Sequence, residues 1–407
     1  MNKKLRCAVL SVLILSAMLF MSSMLSAKGA VIGYAGGWQA PPTAAQLDRV
    51  THVILMEWRP NANGTLNNLY SAQLGVWLST FVSAAHAKGV KVSMALSGNR
   101  NSHFPTVVQD ANRANFITNI VNFVNQYNLD GVDIDWEAPL GNAQWENCLS
   151  LLEELKEALP DKIISMAIGG DSPYGQYNNH FYLEDRTIVQ ERIWNAVNFI
   201  HLMTYEMQGV TRPVNWVTHS DVNASKACID RWAAFGEGQP GFSKEKLVMG
   251  CAFYGIATPT QDGFYRNGGG VGCDTPATLK QKVDHCYDNE YGGVMIWELG
   301  YDKNLTTTPD LLSAIWDANT AKGGYVVTYQ KPVSTTTIQL YPNPATTELY
   351  VNFASQETAD YIMYNTAGQI MLQGKVQRDG IINVQSLSNG VYYLRISDEM
   401  LKVIIAK

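Results

Sequence analysis

From Ala30 to about Ala321, short apolar runs alternate with longer amphipathic ones. The short runs are AVIGYA from Ala30, HVILME from His52, KVSMAL from Lys91, GVDIDW from Gly131, KIISMAI from Lys162, NFIHLMTY from Asn198, KLVMGCAFY from Lys246 and GGVMIWEL from Gly292. Several show little alternation, as strands buried on both faces do in a parallel sheet. The longer runs carry apolar positions at helical spacing. In NAQWENCLSLLEELKEALP these are Trp145, Leu149, Leu152, Leu155 and Leu159, with Pro160 just beyond the end. FITNIVNFVNQYN (Phe116 to Asn128), FVSAAHAKG after Thr80 and DRWAAFGEG after Ile229 behave alike. Eight strands, each followed by a helix, over about 290 residues predict an α/β fold, the closed (β/α)8 TIM barrel. A doubly wound open sheet is the alternative, but no Gly-rich phosphate turn follows the first strand.

The pattern changes after Lys322. KGGYVVTYQKPVSTTT is polar, Thr-rich and without helical period, so residues 323–337 read as a linker. From Ile338 the runs IQLYPNPA, ELYVNF, YIMYNTAGQIMLQGKV, INVQSL, NGVYYLRI and KVIIAK follow. Period-two alternation in ELYVNF and VYYLRI, with AG and NG turns, predicts a small all-β sandwich over residues 338–407.

Within the fourth strand, DGVDIDWE (Asp130 to Glu137) sets Asp133, Asp135 and Glu137 two apart, alternating with Ile134 and Trp136. A strand puts the three carboxylates on one face and the apolar pair on the other. Like charges crowded on an apolar strand repel, and repulsion keeps at least one protonated near neutral pH, which suits a general acid. A metal site or a solvated edge strand is the plainer reading. Val132, Ile134 and Trp136 are too densely apolar for an edge, and no His or Cys lies near enough in sequence to suggest a metal cage. In a barrel the row runs to the C-terminal mouth, so Glu137 stands outermost with Asp135 and Asp133 progressively deeper. Asp130 differs in parity and reads as structural, fixing the strand entry.

The net charge of −6 argues against a nucleic-acid partner, which needs a basic stripe. Ten Trp and twenty Tyr are many for 407 residues and suit a sugar cleft as well as a core. Trp38, Trp58, Trp216, Tyr174 and Tyr177 are candidates for lining such a cleft. Lys3, Lys4 and Arg6 precede an apolar run from Cys7 to about Leu25, with small residues after it, so residues 1–27 read as a signal peptide; an uncleaved anchor is the alternative. The remaining cysteines are Cys148, Cys228, Cys251, Cys273 and Cys286, an odd set that leaves at least one thiol free. Cys273 and Cys286 are close enough in sequence to bridge, though spacing alone does not decide it.

Asp130 to Glu137 resembles the DxxDxDxE signature of glycoside hydrolase family 18, the chitinases and endo-β-N-acetylglucosaminidases. MTYE (Met203 to Glu206) resembles the family's sixth-strand Met-x-Tyr-Asp, AFYG (Ala252 to Gly255) its seventh-strand motif, GGVMIWELGYD its eighth strand with Trp297, and Tyr34 its first-strand Tyr. The resemblance implies that Glu137 is the general acid and that the nucleophile is the substrate's own N-acetyl oxygen, an exception to the two-carboxylate scheme. Asp135 then orients the acetamido group, Asp133 shares a proton with Asp135, and Tyr205 hydrogen-bonds the acetamido. Trp297, Tyr34, Glu206, Met203 and Tyr254 are the implied substrate-binding residues, with Trp297 as the floor beneath the sugar. No cofactor and no metal are implied.

Three positions depart from the family pattern. Ala95 stands where a Ser supports the inner Asp, so the proton sharing of Asp133 is expected to differ or to use Tyr34 and a water. Glu206 replaces an Asp. Only about 35 residues separate the seventh and eighth strands, too few for the α+β insertion of many processive chitinases, which implies an open cleft. The C-terminal YPNPATTELYV, AGQI, LSNGVYYLRI and KVIIAK resemble the type A sorting domain of the type IX secretion system. That implies outer-membrane secretion machinery as a partner and a secreted or cell-surface protein of a Gram-negative bacterium; a carbohydrate-binding or fibronectin-like sandwich is the alternative. The combined expectation is a secreted endo-acting glycosidase, a barrel over residues 28–322, that acts on an N-acetylglucosamine-containing polysaccharide or glycan. Chitin leads, and the chitobiose core of N-glycans or a non-catalytic glycan-binding role follow.

Overall fold

The computed structural model describes residues 29–407 except 69–70, 99–100, 138, 140, 171–186, 208–218, 259–260, 267–272, 303–310, 325–337, 354–357, 366–368, 379 and 397–398. The leader, the linker from residue 325, Tyr174, Tyr177 and Trp216 therefore lie outside the described residues. The described residues fall into two compact units, one within residues 1–329 and one within 330–407.

In the first unit the strands are β1 (Ala30–Gly36), β2 (His52–Pro60), β3 (Leu66–Asn68), β4 (Lys91–Gly98), β5 (Gly131–Trp136), β6 (Ile163–Gly169), β7 (Phe199–Met203), β8 (Leu247–Ala252), β9 (Tyr254–Thr258), β10 (Gln261–Arg266) and β11 (Gly293–Trp297). β1, β2, β4, β5, β6, β7, β8 and β11 pair in parallel, and β1 pairs with both β2 and β11, so the eight close into a ring. These are the eight strands predicted from the apolar runs. Gly293 lies at the seam opposite Ala30, with φ +143°, and a Cβ there would stand 2.1 Å from the Ala30 carbonyl oxygen. Only glycine fits both that backbone and that approach. Between β8 and β11 the described residues form the β9–β10 hairpin and the helix Pro276–Asp288, not an α+β insertion.

Helices Ser71–Ala87, Asp110–Gln126, Gly141–Ala158, Thr187–Ala196, Val222–Gly236, Pro276–Asp288 and Leu311–Ala321 follow the strands. Side chains of alternate parity on each strand separate two cores. Val132, Ile134 and Trp136 point outward into the layer shared with Trp145, Leu149, Leu152 and Leu155. Trp136 stacks on Phe104 at 5.1 Å. Leu152 is fully buried, and its truncation to Ala would cost about 2–5 kcal/mol. Ile32, Tyr34, Ile54, Met56, Ala95, Phe199, Val248 and Met295 fill the barrel interior. Asp221 caps its helix by accepting from the Ala224 amide at 2.8 Å, and Pro276 sits in the first turn after the Thr275 capping box.

One irregularity alters what faces the interior. The β2–β4 register slips between Leu55 and Trp58, and Trp58 pairs with the outward-facing Leu96. A slip of this kind reverses the faces. Trp58, a candidate for the cleft by sequence, is thereby turned into the outer core, where it meets Phe123 edge-on at 5.1 Å. Glu57 takes the other face. No disulfide joins any of the five described cysteines, Cys273 and Cys286 included.

The second unit holds β12 (Ile338–Tyr341), β13 (Glu348–Phe353), β14 (Thr358–Asn365), β15 (Ile370–Gln377), β16 (Gly380–Asn383), β17 (Gly390–Ile396) and β18 (Glu399–Ile405). They form antiparallel sheets ordered β12-β13-β16 and β15-β14-β17-β18. Leu349, Val351, Met363, Ile382, Leu394, Ile396 and Val403 make a common core, the inward half of the predicted alternation. Tyr341, Tyr350 and Ile381 form an exposed cross-strand row, the two Tyr rings parallel at 5.5 Å.

Candidate active site

The inward face of β5 carries Asp133 and Asp135, 0% and 5% exposed, and Glu137 follows half-buried at the strand's C-terminal end. The Gly98 carbonyl of β4 accepts from the Glu137 amide at 3.1 Å and fixes its departure from the strand. The two aspartates are bonded to different partners. Asp133 accepts from the Tyr34 hydroxyl (Oδ2, 2.6 Å) and the Ser165 hydroxyl (Oδ1, 2.6 Å). Asp135 accepts from the Ser97 hydroxyl at 2.9 Å.

Ser165 answers the question raised by Ala95. Both are register partners of Asp133, Ala95 from β4 and Ser165 from β6. The hydroxyl thus comes from the other neighbouring strand. His201 on β7 approaches from below, with Nδ1 3.0 Å from the Tyr34 hydroxyl and 3.3 Å from Asp133 Oδ1.

Asp135 and Glu137 feel further carboxylates: Glu137, Asp133 and Glu57 act on Asp135, and Glu206 and Glu57 act on Glu137. Burial first, then the charges of Glu137 and Asp133, push Asp135 well above the usual carboxylate range, against the pull of the Ser97 hydrogen bond. Burial, followed by the charges of Glu206 and Glu57, raises Glu137, and Arg59 opposes. The Arg59 guanidinium meets the 7% exposed Glu57 directly. A carboxyl raised above its ordinary range by burial and neighbouring charge is what a general acid requires.

Around the row, Tyr205 is half-buried and donates to Met295 Sδ at 3.8 Å, with its ring edge-on to Tyr254 at 6.0 Å. Met203 is half-buried in the barrel interior. Trp297 is half-buried between Tyr34 and Trp38, at ring separations of 5.6 and 6.3 Å. Trp38 is held by its indole N–H to Glu298 Oε1 at 3.2 Å, the oxygen that Gln39 also reaches. Glu206 has φ +56°; its amide donates to His219 Nδ1 at 3.0 Å and its carboxylate accepts from the Tyr254 hydroxyl at 2.7 Å. Tyr34 and Tyr254 are 1% and 2% exposed and spend their hydroxyls on Asp133 and Glu206. Both stand behind the carboxylates rather than at the open surface.

Asp130 sits at the opposite end of β5 and accepts from the Val92 amide (2.8 Å), His86 (2.6 Å) and Lys91 (3.0 Å). Burial pushes it up, but the His86 and Val92 hydrogen bonds and the charges of His86 and Lys91 win and bring it down to about 2. Asp130 thus lies away from the mouth, at the entry of β5. Sequence reasoning missed Ser165, His201, Glu57, Arg59, Ser97 and Glu298. Inward parity on an apolar strand was the available signal for Ser165 and His201.

The model of the glycosyl hydrolases family 18 matches residues 30–302, and that of the secretion system C-terminal sorting domain matches residues 339–407. A chitinase-like effector of Moniliophthora perniciosa is 27% identical over 249 residues, covering 55% of this chain and 55% of that protein. The chain thus spans about half the length of that relative. A chitinase from Bacteroides thetaiotaomicron shares the fold at a TM-score of 0.59 and 22% identity, over 73% of this chain and 98% of that one. The GH18 chitinase ChiB from the chitin utilization locus of Flavobacterium johnsoniae does so at 0.56 and 22%, over 74% and 97%.

Proposed function

The chain belongs to glycosyl hydrolase family 18, and from that premise we propose that it is an exported, endo-acting chitinase. The reaction is hydrolysis of β-1,4 bonds beside N-acetylglucosamine, with retention of configuration. The observation that carries it is the inward row of Asp133, Asp135 and Glu137 at the mouth of the ring, with raised acids at its outer two positions.

Glu137 gives its proton to the glycosidic oxygen as the C1–O bond breaks. The substrate's acetamido oxygen attacks C1 and closes an oxazolinium ring. Because that group is already attached, little orientational entropy is lost. Asp135 accepts the acetamido N–H and faces the positive charge as it develops. Tyr205 hydrogen-bonds the same group, and Trp297 lies beneath the sugar. Glu137, now a carboxylate, takes a proton from water, which attacks C1 and opens the ring. Asp133 supports Asp135 from below. Glu206, Met203, Tyr254 and Tyr34 complete the surrounding shell.

The match of residues 339–407 to a sorting domain supports export to the cell surface or medium through outer-membrane secretion machinery, after a leader at residues 1–27. Mass spectrometry of products tests the reading. The full-length chain is given chitin oligomers in one tube and a high-mannose glycoprotein in another. Chitobiose from the first, with the glycoprotein untouched, is expected. A glycoprotein left with a single N-acetylglucosamine, and intact oligomers, would replace chitin by N-glycans, a substrate the short β8–β11 connection also admits. Silence in both tubes would overturn the chitinase reading, pointing first to a different N-acetylated substrate and second to glycan binding.

A further inference from the structure

His201 is 1% exposed and lies under the acidic row, where no part of the proposed reaction uses it. Its Nδ1 meets two groups, the Tyr34 oxygen at 3.0 Å and Asp133 Oδ1 at 3.3 Å. Tyr34 already gives its hydroxyl proton to Asp133 Oδ2, and Ser165 gives its own to Oδ1. Each neighbour of Nδ1 therefore offers a lone pair and none offers a proton. Nδ1 must carry the hydrogen.

The far side of the ring supports the same assignment. Nε2 is buried and has no hydrogen-bond partner among the described residues. A second N–H there would be a stranded donor, which costs about 1–3 kcal/mol. The neutral ring with its proton on Nδ1 avoids that cost. Phe199 stacks beside the ring at 6.2 Å and Tyr34 meets it edge-on at 5.9 Å.

We infer that His201 is a positioning residue for hydrolysis: its Nδ1–H is the third donor converging on the Tyr34–Asp133 pair, which holds Asp133 in place as an acceptor beneath Asp135. The inference rests on the roles proposed above for Asp133 and Asp135. The arrangement comes from three strands: Tyr34 on β1 and Ser165 on β6 donate directly to Asp133 on β5, and His201 on β7 meets the Tyr34 oxygen.

Two substitutions distinguish this role from packing. His201→Asn retains an N–H close to the place of Nδ1. His201→Phe retains the ring's shape and loses the donor. With chitin oligomers, His201→Phe is expected to lose roughly ten-fold or more in kcat, the equivalent of one such hydrogen bond in the transition state, with KM within about two-fold. His201→Asn is expected to fall far less. A packing role predicts the reverse order, because an aromatic ring beside Phe199 fills the space better than a short amide. Wild-type kcat in His201→Phe, or equal losses in both variants, would overturn the inference. A second readout needs no substrate. Nitrogen-15 NMR of the histidine-labelled full-length chain, with the His201 signal assigned by its loss in His201→Asn, is expected to show the proton on Nδ1. A proton on Nε2 overturns the inference whatever the activity. If the wild type hydrolyses nothing while Nδ1 is protonated, the proposed function fails and the donor geometry stands.

Discussion

Ser165 on β6 stands opposite Asp133 on β5 and donates to its Oδ1 at 2.6 Å, while the strand on the other side presents Ala95 at the same level. Of the two strands that flank the deepest carboxylate, only β6 presents a hydroxyl at its level, in addition to that of Tyr34 on β1. A hydrogen bond to a charged group is worth about 1.5–3 kcal/mol, so Ser165→Ala is expected to lower kcat by roughly ten-fold or more. Adding Ala95→Ser to that variant should return part of the loss from the opposite side. Steady-state kinetics on chitin oligomers decides it; no recovery would mean that a hydroxyl at 95 does not reach Asp133.

Glu137→Gln removes the proton donor and keeps the shape. Loss of general acid catalysis costs about 10²–10⁴-fold, whereas oligomer affinity, read by calorimetry, should be retained. Asp135→Asn should cost about as much, since the acetamido is no longer held against a carboxylate. A loss of only a few-fold in Asp135→Asn would count against a substrate-assisted reaction.

The acid limb and basic limb of the rate profile report the carboxylate row. A general acid works only while protonated, so activity falls as pH rises through the raised pKa of Glu137. Glu57 is one of the negative charges that raise both Glu137 and Asp135. Glu57→Gln removes that charge and leaves Arg59, which pulls the other way. Glu137 should then lose its proton more easily, and the basic limb of kcat/KM should move to lower pH. An unmoved limb would mean that a different group controls it.

His219 couples stability to pH. Burial lowers it from 6.5 to about 4, against the raising effect of the hydrogen bond to the Tyr254 carbonyl. Its Nδ1 accepts the Glu206 amide, so protonation there breaks that support. The unfolded chain binds the proton below about 6.5 and the folded one only near 4. The stability from neutral His219 is therefore complete above pH 6.5 and is lost as pH falls towards 4, a change of about 3 kcal/mol. Urea unfolding at pH 7 and pH 4.5 should show the drop in the wild type and a smaller one in His219→Phe. Parallel drops would place the titration elsewhere.

Much of the ring was legible because a parallel strand buried on both faces is written as an unbroken apolar run, and each such run became a barrel strand. The acidic row was legible because charge on alternate positions of such a run is rare. The polar residues beneath it were not, since Ser165 in KIISMAI and His201 in NFIHLMTY look like single interruptions of apolar strands. Their meaning comes from register, which brings three strands to bear on Asp133. Trp58 and Glu57 were hidden for a different reason: strict alternation from Met56 puts Trp58 inside, and the slip in β2 reverses it.

The seam between β1 and β11 has a consequence in time. Ala30 and Gly293 are roughly 260 residues apart in sequence, so this contact belongs to the slowest kind to form, with nearly the whole barrel sequence enclosed in the loop it closes. Until β11 is delivered, β1 has one bare edge, a template for any stray strand. A side chain at Gly293 would obstruct that last step against the Ala30 carbonyl. Such a lesion should show itself as aggregation during refolding, with more of the chain lost at higher concentration, before it shows itself in the activity of whatever molecules do close.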